Sequence, residues 1–147
     1  MTETTLRVDD SARVRVLYMA LELSAKQWRV LFSDGEKRRG GAVEAGDTAG
    51  LREQIRRAKE RFGLPAQAPV MSCYEAGRDG FWLHRFLSRQ GVDNLVVDAA
   101  SVEQSRRARR AKTDRLDVAK LLRALLRWAG GDREVWRVVQ VPSEARR

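Results

Sequence analysis

Cysteine and histidine are nearly absent from this 147-residue sequence, which has one of each, Cys73 and His84. A single cysteine excludes an intramolecular disulfide and any zinc cluster built on thiolates. A single histidine excludes most metal sites that rest on paired imidazoles, and any catalytic triad needing a second one. No run of about 18 apolar residues occurs, so no membrane span is expected. Met1 to Asp10 is polar and acidic, unlike the start of a secretory signal. Together these absences predict a cytoplasmic protein. Lysine is scarce as well: of the 29 basic residues, five are Lys and 24 are Arg.

What is present suits a globular chain. The length predicts about one domain, and the hydrophobic share of 43% is too high for a disordered one. A domain of this size buries about two-thirds of the surface its unfolded chain exposes. The formal net charge is +9, from 29 basic and 20 acidic residues. A basic excess points to a polyanionic partner, nucleic acid first among them. Arginine suits bidentate contact with phosphate and base edges. The same preference for Arg over Lys also arises from a GC-rich genome, with no functional meaning.

Periodicity sets out the elements. Residues 1–13 read as a flexible leader. Val14 to Glu22 alternates and then becomes apolar throughout, predicting a strand buried on both faces toward its end. A turn comes next at Leu23–Lys26, then a second strand around Trp28, Val30 and Phe32. Asp34-Gly35 is a hairpin signal, and Lys37 to Val43 is a weak, Gly-interrupted third strand expected at an edge. Gly46-Asp47-Thr48 offers an N-cap for a helix carrying Leu51, Ile55, Ala58 and Phe62 on one face, stopped by Gly63. Pro69 to Tyr74 is a short buried strand ending at Glu75. A helix through Phe81, Leu83, Phe86 and Leu87 is next, then a strand at Asn94–Val97. A last helix is expected from about Lys112 to Trp128, ended by Gly130-Gly131. Val135 to Val141 reads as a final strand or as a lead into a further segment. The expected order is β-β-β-α-β-α-β-α, an α/β fold with a mixed sheet and helices packed on it. There is no internal repeat, and no low-complexity tract beyond one arginine cluster.

Four carboxylates are singled out by position. Glu22 and Glu75 each end an apolar strand, where sites collect in open sheets. If the two strands are neighbours, both acids project at one edge. Asp114 and Asp117 are three apart at the expected start of the last helix, hence on one face. Clustered carboxylates in a basic protein offer the hard oxygens that Mg²⁺ or Mn²⁺ requires beside phosphate. The plain alternative is that Asp114 and Asp117 complement a helix N-terminus or join Lys112, Arg115 and Lys120 in a solvated ionic face. Arg106, Arg107, Arg109, Arg110, Lys112 and Arg115 crowd six positive charges beside that pair, a run suited to phosphate contact or to a solvated face. Phe81, Trp82 and His84 are base-stacking candidates, though the core side of their helix is the expected place for Phe81 and Trp82. Cys73 is expected to be a buried small hydrophobe.

Several segments resemble bacterial insertion-sequence transposases of the DEDD class, the one-ten family. They are Cys73-Tyr74-Glu75-Ala76-Gly77-Arg78-Asp79-Gly80-Phe81-Trp82-Leu83-His84-Arg85 and Arg106-Arg107-Ala108-Arg109-Arg110-Ala111-Lys112-Thr113-Asp114-Arg115-Leu116-Asp117. Tyr18-Met19-Ala20-Leu21-Glu22-Leu23-Ser24 with Trp28-Arg29-Val30 is similar to the family's first hairpin, and Val135 to Ser143 also matches. The resemblance runs from about Leu17 onward. It implies a RuvC-like domain of ribonuclease H-like fold over residues 14–130, with 131–147 leading toward a second domain. The family's acidic tetrad falls on Glu22, Glu75, Asp114 and Asp117, which the resemblance makes catalytic Mg²⁺ (or Mn²⁺) ligands. Many relatives carry Asp at the first position, where this chain has Glu22. The resemblance further implies DNA as substrate, a structured guide (bridge) RNA as partner, and dimers or tetramers of the full-length protein in bacterial cytoplasm. Family members carry a serine for strand cleavage and exchange in that second domain, and no serine here, Ser143 included, matches its motif. This chain alone is therefore not expected to complete transposition. The competing expectations are a non-catalytic nucleic-acid-binding regulator and a standalone Mg²⁺-dependent junction resolvase.

Overall fold

The computed structural model describes residues 14–77, 81–102 and 117–142. Its elements are β1 (Leu17–Glu22), β2 (Gln27–Ser33), β3 (Arg38–Glu44), α1 (Thr48–Phe62), β4 (Val70–Glu75), α2 (Trp82–Arg89), β5 (Asp93–Asp98), a 3-10 turn (Ala99–Ser101), α3 (Val118–Ala129) and β6 (Arg137–Val138). Six strands form one sheet in the order β3-β2-β1-β4-β5-β6. β1, β4 and β5 run parallel, while β2, β3 and β6 pair antiparallel with their neighbours. The fold is α/β with a mixed sheet and, among the described residues, three helices; these residues hold two elements beyond the expected eight, the 3-10 turn and β6. No helix among the described residues is long and apolar enough to cross a membrane.

Local chemistry explains the boundaries. Ser33 Oγ accepts from Gly35 N at 2.8 Å, and Asp34 Oδ1 accepts from the backbone N–H groups of Glu36 and Lys37 at 2.9 and 2.8 Å. Gly35 supplies the positive φ of 105° that this turn requires. In α1 the Asp47 carboxylate caps the first turn by accepting from Gly50 N at 2.8 Å. Gly63 ends it in the left-handed conformation, φ 71°. The expected weak edge strand is β3, which is outermost in the sheet.

The central strands bury both faces, so the sheet separates two cores. On one face, Leu17, Met19 and Leu21 of β1 and Trp28, Val30 and Phe32 of β2 pack with Leu51 and Ala58 of α1 and with Leu83 and Leu87 of α2. On the other, Ala20, Cys73 and Val97 lie beneath Leu121, Leu122 and Leu125 of α3. Burying each of these leucines contributes about 1.5–3 kcal/mol. The stretch after α3 also joins this second core: Val135 and Trp136 are buried, and β6 pairs with β5 through Val97–Val138 and Asp98–Arg137.

Three expectations need correction. β1 starts at Leu17, and Val14 is exposed, because nothing pairs it into the sheet. Trp82 is not on the core side of its helix but is 43% exposed, one position off the buried Leu83–Leu87 stripe. The last helix starts at Val118, because Asp117 caps it in an extended conformation, φ −83° and ψ 169°. Asp117 is thus the cap of the helix and not part of its first turn; Asp114, its expected partner on one face, lies outside the described residues.

Candidate functional site

β1 and β4 are neighbours in parallel, and their ladder ends on the pair Leu21–Tyr74. The next residue on each strand is a glutamate, Glu22 and Glu75. Alternation fixes their side. Leu21 and Tyr74 belong to the core under α1 and α2, whereas Ala20 and Cys73 belong to the core under α3. Glu22 and Glu75 share the parity of Ala20 and Cys73 and so stand on the α3 face. Both are half-buried. Adjacent strands run about 4.8 Å apart, so the same end and face of the sheet carry two carboxylates side by side. Across the antiparallel ladder Arg29 is the register partner of Glu22, and across the parallel one Val97 is the partner of Glu75.

The start of α3 closes on this edge. The Val118 N–H donates to Glu22 Oε1 at 3.2 Å. Asp117 lies immediately before it, exposed, with its Oδ1 accepting from Lys120 N at 2.8 Å. Two of the four expected carboxylates, Glu22 and Glu75, are thus set side by side by strand register, while Asp117 precedes the residue bonded to Glu22 and its carboxylate turns to its own helix. Asp114, and the expected nucleic-acid contacts Arg106, Arg107, Arg109, Arg110, Lys112 and Arg115, lie outside the described residues.

The chemistry of the edge is that of hard oxygen. Glu22 and Glu75 are carboxylates, the donor type that suits Mg²⁺ or Mn²⁺. Neither the thiol nor the imidazole of this chain competes. Cys73 is fully buried beneath α3, its Sγ 3.8 Å from Leu121 O, and burial pushes its thiol well above the ordinary range. His84 sits on α2, over the opposite face. Among the described residues, no group of three or more His, Cys, Asp or Glu side chains is close enough to hold a metal ion. Glu22 and Glu75 form a pair, and the Asp117 carboxylate is engaged by its own helix.

Two features escaped sequence reasoning. The first is the Glu22–Val118 bond, which joins residues 96 positions apart. The second is a polar network on the α2 face. Ser72 Oγ donates to Asn94 Oδ1 at 2.6 Å, Asn94 Nδ2 lies 3.0 Å from His84 Nδ1, and His84 N donates to Tyr74 Oη at 3.1 Å. Burial, with help from the Arg85 charge and against that of Asp93, holds the His84 imidazole below its ordinary pKa. A neutral imidazole can accept from Asn94 Nδ2 at Nδ1. The network ties the start of α2 to β4 and β5. The sequence signal for it was a Ser and an Asn inside apolar strands.

The chain is 40% identical over 147 residues to a Sinorhizobium fredii protein named "Putative transposase y4rJ", an alignment covering 95% of this chain and 36% of the relative. It is also 40% identical over 111 residues to "Putative transposase y4qE" of the same organism, covering 76% of this chain and 25% of the relative. The chain thus spans about a third or less of the length of these two relatives. No family model matches the sequence.

Proposed function

We propose that this chain is the nucleic-acid-binding, metal-ligating part of a DNA transposase of the DEDD class and one-ten family, with a ribonuclease H-like, RuvC-like fold. The observation that carries the reading is the Glu22–Glu75 pair: two carboxylates on one face at the ends of adjacent parallel strands, with the start of α3 bonded to the first. The similarity to two relatives named as transposases supports the same reading. So does the strand order β3-β2-β1-β4-β5 with helices on both faces.

On this reading Glu22, Glu75, Asp114 and Asp117 hold Mg²⁺ or Mn²⁺. The metal's chemistry would be to neutralise charge developing on a DNA phosphate. The chain's own groups do the rest. The Val118 N–H fixes the Glu22 carboxylate in place, and α3 covers the sheet beneath it. Arg29, opposite Glu22, and the cluster Arg106, Arg107, Arg109, Arg110, Lys112 and Arg115 hold the phosphate backbone. The serine of strand exchange, the guide RNA and the dimer or tetramer belong to the longer protein on this reading.

The test is a Mn²⁺ titration read by loss of the free-ion paramagnetic resonance signal. The chain is compared with a Glu22→Gln, Glu75→Gln double variant and an Asp114→Asn, Asp117→Asn double variant. Binding weakened about tenfold or more in both supports the metal site. Equal binding by all three proteins rejects it.

One observation favours a second reading, a nucleic-acid-binding module without catalysis. The Asp117 carboxylate is engaged as a helix cap. Salt-sensitive DNA binding with no metal-dependent nicking, and no change in affinity on adding Mg²⁺, selects that reading.

A further inference from the structure

Two large hydrophobic side chains are exposed among the described residues, Val14 at the start of the described chain and Trp82 at 43%. Trp82 is not loose. Its ring lies 5.9 Å from that of Trp28, tilted by 39°, and Trp28 is itself buried at 1% exposure. The first turn of α2 is further fixed because His84 N, two residues on, donates to Tyr74 Oη. A large apolar ring is thus seated against a buried one with much of its own surface bare.

Its place in the fold gives that ring a use. Trp82 opens α2, which comes after β4 and hence the Glu75 end of the sheet. Trp28, its support, is next to Arg29, the register partner of Glu22. Both tryptophans therefore stand at the carboxylate end of the sheet. Trp28 belongs to the α1/α2 face, and the carboxylates to the α3 face. A nucleic-acid strand that crosses this edge with a phosphate at Glu22 and Glu75 passes its neighbouring nucleotides around to the Trp82 side. With a net charge of +9, the chain favours such a polyanion over an apolar protein surface.

We infer that Trp82 is a stacking platform for an unpaired nucleobase next to the phosphate held at the carboxylate edge. This rests on the proposed function and adds a base-contacting residue to it. An indole face stacks on any base, so the contact is tolerant of sequence and selective for unpaired over paired bases. Trp28 serves as a positioning residue, since it keeps the Trp82 ring from folding onto the protein.

The experiment measures anisotropy of labelled 20-mers with the whole 147-residue chain. The probes are oligo-dT, oligo-rU, duplex DNA and an abasic oligonucleotide of equal phosphate count, each across a salt series. Trp82→Ala is expected to weaken oligo-dT about 5- to 150-fold, the range for one lost base stack. Trp82→Phe is expected to keep most of the affinity. Abasic and duplex probes are expected to be unchanged, as is the salt slope, because no phosphate contact is removed. An equal loss on rU assigns the platform to RNA as well; a loss confined to dT assigns it to DNA. Trp82→Ala binding oligo-dT as the parent does, or losing dT and abasic probes alike, overturns the inference while leaving nucleic-acid binding intact. Failure of the parent chain to bind any probe at low salt overturns the proposed function and the inference with it. Thermal melts of the variants separate a lost platform from a lost fold; if Trp82→Ala unfolds, Trp82→Leu, apolar but without a ring, takes its place and is expected to show the same loss on oligo-dT alone, equal binding by it and the parent overturning the inference.

Discussion

The carboxylate of Glu22, at the end of the first strand, accepts the backbone N–H of Val118, the first residue of α3, at 3.2 Å across 96 positions of sequence. A carboxylate at a helix N-terminus meets both an unsatisfied N–H and the positive end of the helix dipole. The bond therefore docks α3 and orients an acid of the candidate site at once. Structure and site share one atom, Glu22 Oε1.

That sharing predicts a graded response to substitution. Glu22→Ala removes the acceptor and is expected to cost about 1–3 kcal/mol, the range for a hydrogen bond to a charged group. Glu22→Gln keeps an acceptor but loses the charge, and should cost less than about 1 kcal/mol. Urea unfolding monitored by circular dichroism measures both. Amide exchange at the start of α3 should rise more in the alanine variant. If the two variants are equally stable, the bond contributes nothing to docking the helix.

Asp117 separates a cap from a charge. Its Oδ1 accepts from Lys120 N at 2.8 Å. Asp117→Ala is expected to cost about 1 kcal/mol, whereas Asp117→Asn is expected to be close to neutral, since Asn ranks with Asp as an N-cap. Urea midpoints check this. The Asn variant is then the clean probe of any role of the carboxylate charge, because the helix start is retained.

His84 gives the fold a pH response. The folded imidazole is held below its ordinary pKa of 6.5, chiefly by burial and then by Arg85. Well above pH 6.5 neither folded nor unfolded chain binds this proton, and His84 adds no pH dependence. As the pH falls through 6.5 the unfolded chain takes up a proton that the folded chain resists, so stability declines until the folded pKa is passed. The protonated ring also loses its acceptor toward Asn94 Nδ2. The difference in urea midpoint between the parent and His84→Gln should therefore shift against the parent as the pH drops below 6.5. A difference that stays flat with pH shows that His84 does not titrate differently on folding.

Periodicity was enough to place most elements and the strand-end acids, because alternation and helical spacing are local properties. The adjacency of β1 and β4 is not local. It makes Glu22 and Glu75 a pair, and the sequence alone could state it only as a condition. Spacing places the start of α3 earlier than Val118, for a physical reason. The stripe Leu116, Ala119, Leu122 and Leu126 continues smoothly through Asp117, and spacing alone does not register a cap. The signal was present, since Asp is a strong N-cap residue and its partner N–H is three positions on, at Lys120. Trp82 stands among apolar neighbours, yet the stripe that decides burial, Leu83 with Leu87, passes beside it.

The segment after α3 supplies the last prediction. Only two residues form β6, which pairs with β5 at Val97 and Asp98. Taken alone, so short a strand stabilises little. Its anchor is Trp136, 3% exposed, whose ring lies 6.2 Å from that of Trp128 at the end of α3. Trp128 in turn carries the Arg133 guanidinium 4.4 Å from its ring centroid, a contact worth about 0.5–1 kcal/mol at an exposed site. The connection from α3 to β6 is thus pinned at both ends to the core that contains Ala20 and Cys73, the nearest residues on the α3 face before Glu22 and Glu75 on their strands. Trp136→Ala is expected to destabilise the whole domain by about 3–5 kcal/mol, whereas Arg133→Ala should cost about 1 kcal/mol or less. Thermal and urea unfolding measure both. A single cooperative transition in the Trp136→Ala variant, shifted to lower denaturant, means that the segment is part of the fold that holds the carboxylates. An unshifted transition means that it merely lies on the surface.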